Sequence, residues 1–213
     1  MLNDIGAAGG RAFKSFALAI RAFGPDHYHS GMLYQTKDGQ VMLLHLADNF
    51  DLRNEAPSER YKWAEPSLTT SRCKLLAVLC AKIASQDPKI PYGFDKTGIS
   101  INSSTGAVTP GPEGKGLTCA SFIMATLDAY GMRLLKEDEW PRNSHEQWQN
   151  ATIERLKARE EVTEEQLAAL QKDTGACRFV PQEVVGASTA KPWPVGYEKA
   201  TMLGIVLQTH LPN

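Results

Sequence analysis

Two apolar runs flank a tight turn, and this constrains the fold more than any other feature of the chain. His29-Ser30-Gly31-Met32-Leu33-Tyr34 precedes Lys37-Asp38-Gly39-Gln40, and Val41-Met42-Leu43-Leu44-His45-Leu46-Ala47 follows it. An Asp-Gly pair between two such runs is the signal of a β-hairpin. The sequence therefore predicts antiparallel strands. Elsewhere the apolar spacing is helical. Leu75, Leu76, Leu79 and Ile83 mark a helix from Leu68 to Ser85. Strands that need cover and helices that can supply it give an α+β fold, an antiparallel sheet packed against helices.

The rest of the chain is assigned in the same way. Residues 10–23 read as an amphipathic packing helix ended near Gly24-Pro25, with a membrane-surface or partner helix as the other reading. Residues 49–67 are polar, contain Pro57 and Pro66, and read as a loop anchored by Tyr61 and Trp63. Gly98 to Asn102 reads as a short strand, and Ser103 to Gly116 as a Gly/Pro-rich approach. Thr118 to Tyr130 is the next helix, closed by Gly131. Trp140-Pro141 opens a polar helical region, in which residues 154–161 read as a solvated charged face. Thr163-Glu164-Glu165-Gln166 is a capping box. Phe179 to Val185 and Gly204 to Gln208 read as strands, joined by a rigid Lys191-Pro192-Trp193-Pro194 turn. With 213 residues, no repeat and no linker, one domain over 1–213 is expected, with a core over 26–130 and an extension over 131–213.

The charge balance narrows the function classes. A net charge of −1 gives no reason to expect nucleic acid or an anionic membrane as partner. No segment has the length and apolarity of a membrane span, and Arg11, Lys14 and Arg21 interrupt any signal-peptide core. The four cysteines form no Cys-x-x-Cys pair, so neither a zinc site, a redox motif nor a disulfide framework is expected. Cys73 and Cys80 fall on one helix face as core residues. A reducing, cytoplasmic setting is the default, with export by a specialised route left open. No cofactor and no metal are expected.

Cys119 is the candidate nucleophile. It stands where the glycine-rich approach enters a helix, and free N–H groups and the helix dipole at that position favour a thiolate. The bland alternative is a structural cysteine at the head of a core helix. His29 and His45 lie on adjacent strands of the hairpin, with side chains able to face one region, so that a second imidazole could orient the first. Gly31 would leave room over that face. His27 competes with His29, two residues away on the same strand face. Asp48 is an alternative third group beside His45. His145 and His210 sit in polar contexts and read as surface residues. Trp140, Trp148 and Trp193 are candidate groove aromatics, with core or loop anchoring as the alternative.

The order His29, His45, Cys119 resembles that of the circularly permuted, papain-like cysteine hydrolase superfamily. That group includes the permuted branch of the NlpC-type amidases and the lecithin:retinol acyltransferase-like enzymes. The matching motifs are His29-Ser30-Gly31-Met32-Leu33-Tyr34, Leu44-His45-Leu46-Ala47 and Cys119-Ala120-Ser121-Phe122-Ile123. Pro91-Tyr92 matches a Pro-Tyr pair of the bacterial permuted branch. The resemblance covers residues 26–130 and implies a permuted papain-like fold. It implies Cys119 as nucleophile, His29 as base, His45 as the group orienting His29, and the Cys119 N–H in the oxyanion hole. Tyr92 is a candidate second donor.

Cys119 lacks the Asn-Cys-Glu context of the acyltransferase branch. Cleavage of an amide, peptide or isopeptide bond is therefore the expected reaction, on a peptide or amide substrate that could be part of a protein. The alternatives are an acyltransferase or lipid or ester hydrolase on the same Cys-His site, and an inactive binding protein. The lipid reading needs an apolar surface for an acyl chain, for which the N-terminal helix is the only candidate.

Overall fold

A computed structural model describes residues 2–6, 13–24, 27–112 and 115–211. It is an α+β structure. The strands are β1 (Asn3–Asp4), β2 (Phe16–Gly24), β3 (His27–Gln35), β4 (Val41–Asp48), β5 (Asp51–Glu55), β6 (Lys62–Ala64), β7 (Ser100–Ile101) and β8 (Val108–Thr109). The helices are α1 (Thr70–Gln86), α2 (Cys119–Asp128), α3 (Glu146–Lys157), α4 (Glu164–Lys172), α5 (Pro181–Ser188) and α6 (Tyr197–Gln208). Six strands form one antiparallel sheet in the order β1-β6-β2-β3-β4-β5, and β7 pairs with β8.

The hairpin forms where the sequence places it. Met32 pairs with Leu44 and Tyr34 with Met42, and Gly39 turns with a φ of 81°. The period-2 rule then sorts the side chains. Phe16, Leu18, Ile20, Met32, Tyr34, Leu44 and Leu46 face one side, in the main core with residues of α1, α2 and α5. Ala17, Ala19, Leu33 and Leu43 face the other, with Phe13, Tyr61 and Trp63 over them.

Three expectations are corrected. The amphipathic helix over residues 10–23 is strand β2 from Phe16 onward; residues 10–12 and Pro25 lie outside the described residues. Phe16, Leu18 and Ile20 alternate with Ala17 and Ala19, and all five are fully buried. A central strand covered on both faces has a continuous apolar run, and its alanines mimic helix propensity. The polar segment 49–67 contains two strands, β5 and β6. The first follows a tight connection at Asn49-Phe50, with Phe50 at a φ of 53° and no glycine to announce it. Residues 179–185 and 204–208 are helical rather than extended. Pro181 starts α5, where its missing N–H costs nothing, and Gly186 lets α6 approach at Leu203 and Gly204.

The other helices match their sequence signals. Thr118 caps α2 and Thr163 caps α4, and Cys73 and Cys80 are buried on the inner face of α1. Leu75 points outward instead of sharing that face. No described helix is long and apolar enough to cross a membrane.

Candidate active site

Register brings the two histidines together. The Cβ of His45 lies where a side chain on Gly31 would stand, 2.8 Å from the position of a Cβ there. Gly31 thus makes room for the neighbouring strand's imidazole, not for an overlying helix or substrate. His29 Nε2 lies 2.8 Å from His45 Nδ1, with both rings buried. His45 Nε2 in turn lies 3.3 Å from Glu55 Oε1 on β5.

The tautomers follow from this chain of contacts. A carboxylate only accepts, so His45 carries its proton on Nε2 and offers the Nδ1 lone pair. His29 must then donate from Nε2, which leaves its Nδ1 unprotonated. Both rings are held neutral. Burial first, then the unfavourable electrostatic coupling of an imidazolium there to His45, Arg21, His27 and Arg53, pushes His29 down to about 3. Burial also lowers His45, with Glu55 opposing it.

Cys119 is the first residue of α2. Thr118 Oγ1 accepts from the Ser121 N–H at 3.2 Å, and Ser121 Oγ accepts from the Thr118 N–H at 2.8 Å. This box leaves the Cys119 N–H free of any acceptor among the described residues. The approach is equally specific. Gly93 and Gly116 lie back to back, and a Cβ on either would overlap the other's backbone. The Leu117 N–H donates to the Pro91 carbonyl at 2.9 Å. Asn49 Oδ1 accepts from the Tyr92 N–H at 2.8 Å and from Gln166 Nε2 at 2.7 Å. Tyr92 is thereby fixed beside the nucleophile candidate.

A cavity of about 660 Å³ has His29, Cys119, Tyr92 and Trp148 in its wall. Cys119 and His29 both line this cavity, and the imidazole, beside Tyr61 with ring centres 6.4 Å apart, makes no hydrogen bond to the thiol. Ser30, the residue after His29, adjoins the thiol and favours its anion. Its fully buried hydroxyl has no hydrogen-bond partner among the described residues. The helix-start effect expected of Cys119 is outweighed: burial pushes the thiol up, against the Ser30 and Ala120 backbone groups that favour the thiolate. The resting pair is therefore neutral thiol and neutral imidazole.

The other candidates separate clearly. His27 is exposed at the cavity mouth, its ring stacked on Phe23 at 5.4 Å. Asp48 lines the cavity but is held by Arg155 at 2.8 Å and by Arg159, so it is His45 that meets His29. Trp148 is a wall residue. Trp140 is buried and donates to Glu183 at 3.2 Å, and Trp193 packs against the main core. His210 is exposed and His145 half-buried. Among the described residues no group of three or more His, Cys, Asp or Glu side chains is arranged to hold a metal.

Sequence reasoning missed four contributors: Glu55, Ser30, Arg155 and Arg178. Glu55 was hidden in a segment read as loop, where Leu52 is the single apolar residue of Asp51–Glu55 and no alternation marks a strand. Arg155 lies in a charged stretch read as solvated, and Arg178 precedes a segment read as strand. No protein-family model, curated protein or solved structure matches the chain.

Proposed function

We propose that the protein is a cysteine hydrolase that cleaves an amide, peptide or isopeptide bond through a thioacyl-enzyme. The observation that carries this reading is the Glu55–His45–His29 chain. It aims its last unprotonated nitrogen, His29 Nδ1, away from His45, in a residue that shares a cavity wall with Cys119. A surface or packing histidine has no need of a buried partner that fixes its tautomer. The order of motifs that resembles the permuted papain-like superfamily supports the same roles.

The reaction is a general-base mechanism rather than one with a preformed ion pair. His29 Nδ1 takes the Cys119 proton as sulfur attacks the carbonyl carbon. The oxyanion accepts from the Cys119 N–H, with the Tyr92 hydroxyl as second donor. The tetrahedral species collapses, the C–N bond breaks, and His29 returns its proton to the departing amine. Water then attacks the thioester, giving its proton to His29. The acid leaves and the thiol takes the proton back. Burial that raises the thiol and lowers the imidazole leaves each neutral until substrate arrives.

The test is a panel of chromogenic amides and esters against wild type and Cys119→Ala, with folding checked by circular dichroism. Hydrolysis that disappears in the variant is expected. Full activity in folded Cys119→Ala contradicts the reading. Acyl transfer to lipid has less support, because the N-terminal segment, the one candidate surface for an acyl chain, is from Phe16 onward the strand β2, with Phe16 to Ile20 fully buried.

A further inference from the structure

The cavity that holds Cys119 is lined by three guanidinium groups, and they are not equivalent. Arg155 and Arg159 both bind the carboxylate of Asp48. Arg178 binds none. Among the described residues it forms no salt bridge and no hydrogen bond. Its guanidinium carbon lies 3.7 Å from the centre of the Trp148 ring, so the ring covers one face of the planar group. Stacking of this kind fixes a guanidinium while leaving its edge N–H groups to bind. Arg178 is half-buried, and burial lowers its pKa, the mark of a charge held out of water without a counterion. Glu183, the carboxylate that acts on it electrostatically, is engaged elsewhere, with Trp140 and Thr201 at 3.2 and 2.9 Å. A positive charge kept unpaired in a closed place is costly unless a ligand completes it.

We infer that Arg178 is the recognition site for a carboxylate carried by the substrate next to its scissile bond. This rests on the reading of Cys119 as the nucleophile and deepens it. Arg178 and Cys119 line the same cavity and act on each other electrostatically, so the anion binds within reach of the reacting carbon. A planar fork of donors matches a carboxylate with two parallel hydrogen bonds. The substrate class is an amide bearing that group, either as a free chain-terminal carboxylate or as an acidic side chain.

The experiment separates this from the hydrolase reading by using alkylation, which needs no turnover. Iodoacetate and iodoacetamide differ by one carboxylate. Their rates at Cys119 are followed by peptide mass spectrometry at about pH 8, near the ordinary thiol range, in wild type, Arg178→Gln and Arg155→Gln. The iodoacetate-to-iodoacetamide rate ratio should fall about tenfold in Arg178→Gln, as for loss of a charged hydrogen bond. It should fall less than about twofold in Arg155→Gln, whose charge already faces Asp48. An unchanged ratio in Arg178→Gln, or an equal fall in both variants, overturns the site, the second because it would reflect only net cavity charge.

Arg178→Lys keeps the charge without the planar fork and should give an intermediate ratio, which covers the case where the glutamine variant does not fold. Acetyl-Gly-Gly and acetyl-Glu-amide, at about 10 mM to reveal weak binding, should slow wild-type alkylation. Whichever protects better identifies the carboxylate source, and protection by neither contradicts the proposal. A failed hydrolase screen with a positive ratio would leave an anion site on a protein that is not a hydrolase.

Discussion

His29 stands in a line of hydrogen bonds that crosses three adjacent strands, whereas the Cys119 thiol, in the wall of the same cavity, is joined to no other side chain of that line among the described residues. The first arrangement is set by register. Gly31 admits the Cβ of His45, and β5 brings Glu55 to the far nitrogen. The second is set by chain ends. A capping box starts α2 at Thr118, and the Gly93–Gly116 contact delivers the residues before it. A base must be held in one tautomer, and rigid strands can do that. A nucleophile must move onto a carbon, and the first residue of a helix leaves its side chain that freedom. The cost of burial is shared, since it disfavours both the imidazolium and the thiolate.

Breaking the nucleophile should have the largest effect. Cys119→Ala should abolish acylation, a loss of at least about 1000-fold of the kind seen when a nucleophile is removed. It should leave the melting temperature close to that of wild type. His29→Gln comes next. Its amide cannot take the proton, and the acylation rate in single-turnover assays should fall about 1000-fold, within the range for a general base.

The comparison is sharpened by variants further along the strand chain. His45→Ala leaves the His29 Nε2–H without its acceptor and frees the tautomer. A fall of about 100-fold is expected, less than the roughly 10⁴-fold loss on disabling a buried orienting carboxylate, because His45 is neutral. Glu55→Ala should cost only about two- to fivefold, because the Glu55 side chain is 50% exposed and solvent weakens its pull. A Glu55 effect as large as that of His45 would show that the tautomer is set by the carboxylate alone.

The smallest expected effect is on stability. His29 has a pKa of about 3 when folded, against 6.5 for the free side chain. Between those values the unfolded chain binds a proton that the folded one refuses. Its contribution is fully present above about pH 6.5 and is lost as pH falls, by up to about 1.4 kcal/mol per pH unit. Urea unfolding between pH 7 and 5 should show this slope reduced in His29→Gln. A slope unchanged in that variant would mean that His29 titrates normally.

The hairpin and its two histidines were legible because an Asp-Gly turn fixes register, and register fixes which side chains meet. Cys119 was legible because a Gly/Pro-rich approach runs into an apolar helical segment there. The partners of these residues were not. Glu55 reaches His45 only through a hairpin whose turn lacks glycine, and local sequence carries no sign of that pairing. Arg178 matters because Trp148, thirty residues earlier, covers its face. Ser30 looks like an ordinary strand serine until the first residue of α2 is set against it. Strand β2 was misread because burial on both faces erases the polar–apolar alternation that identifies a strand.

The most direct measurement of the central claim is acylation of the protein by p-nitrophenyl acetate, followed by rapid mixing and mass spectrometry. A burst of about one equivalent of nitrophenolate is expected, as for an acyl-enzyme. The acetyl group should lie on Cys119, with the burst lost in Cys119→Ala and slowed at least about 100-fold in His29→Gln. No acetyl group on Cys119, or an equal rate in folded His29→Gln, would contradict the pairing of these two residues.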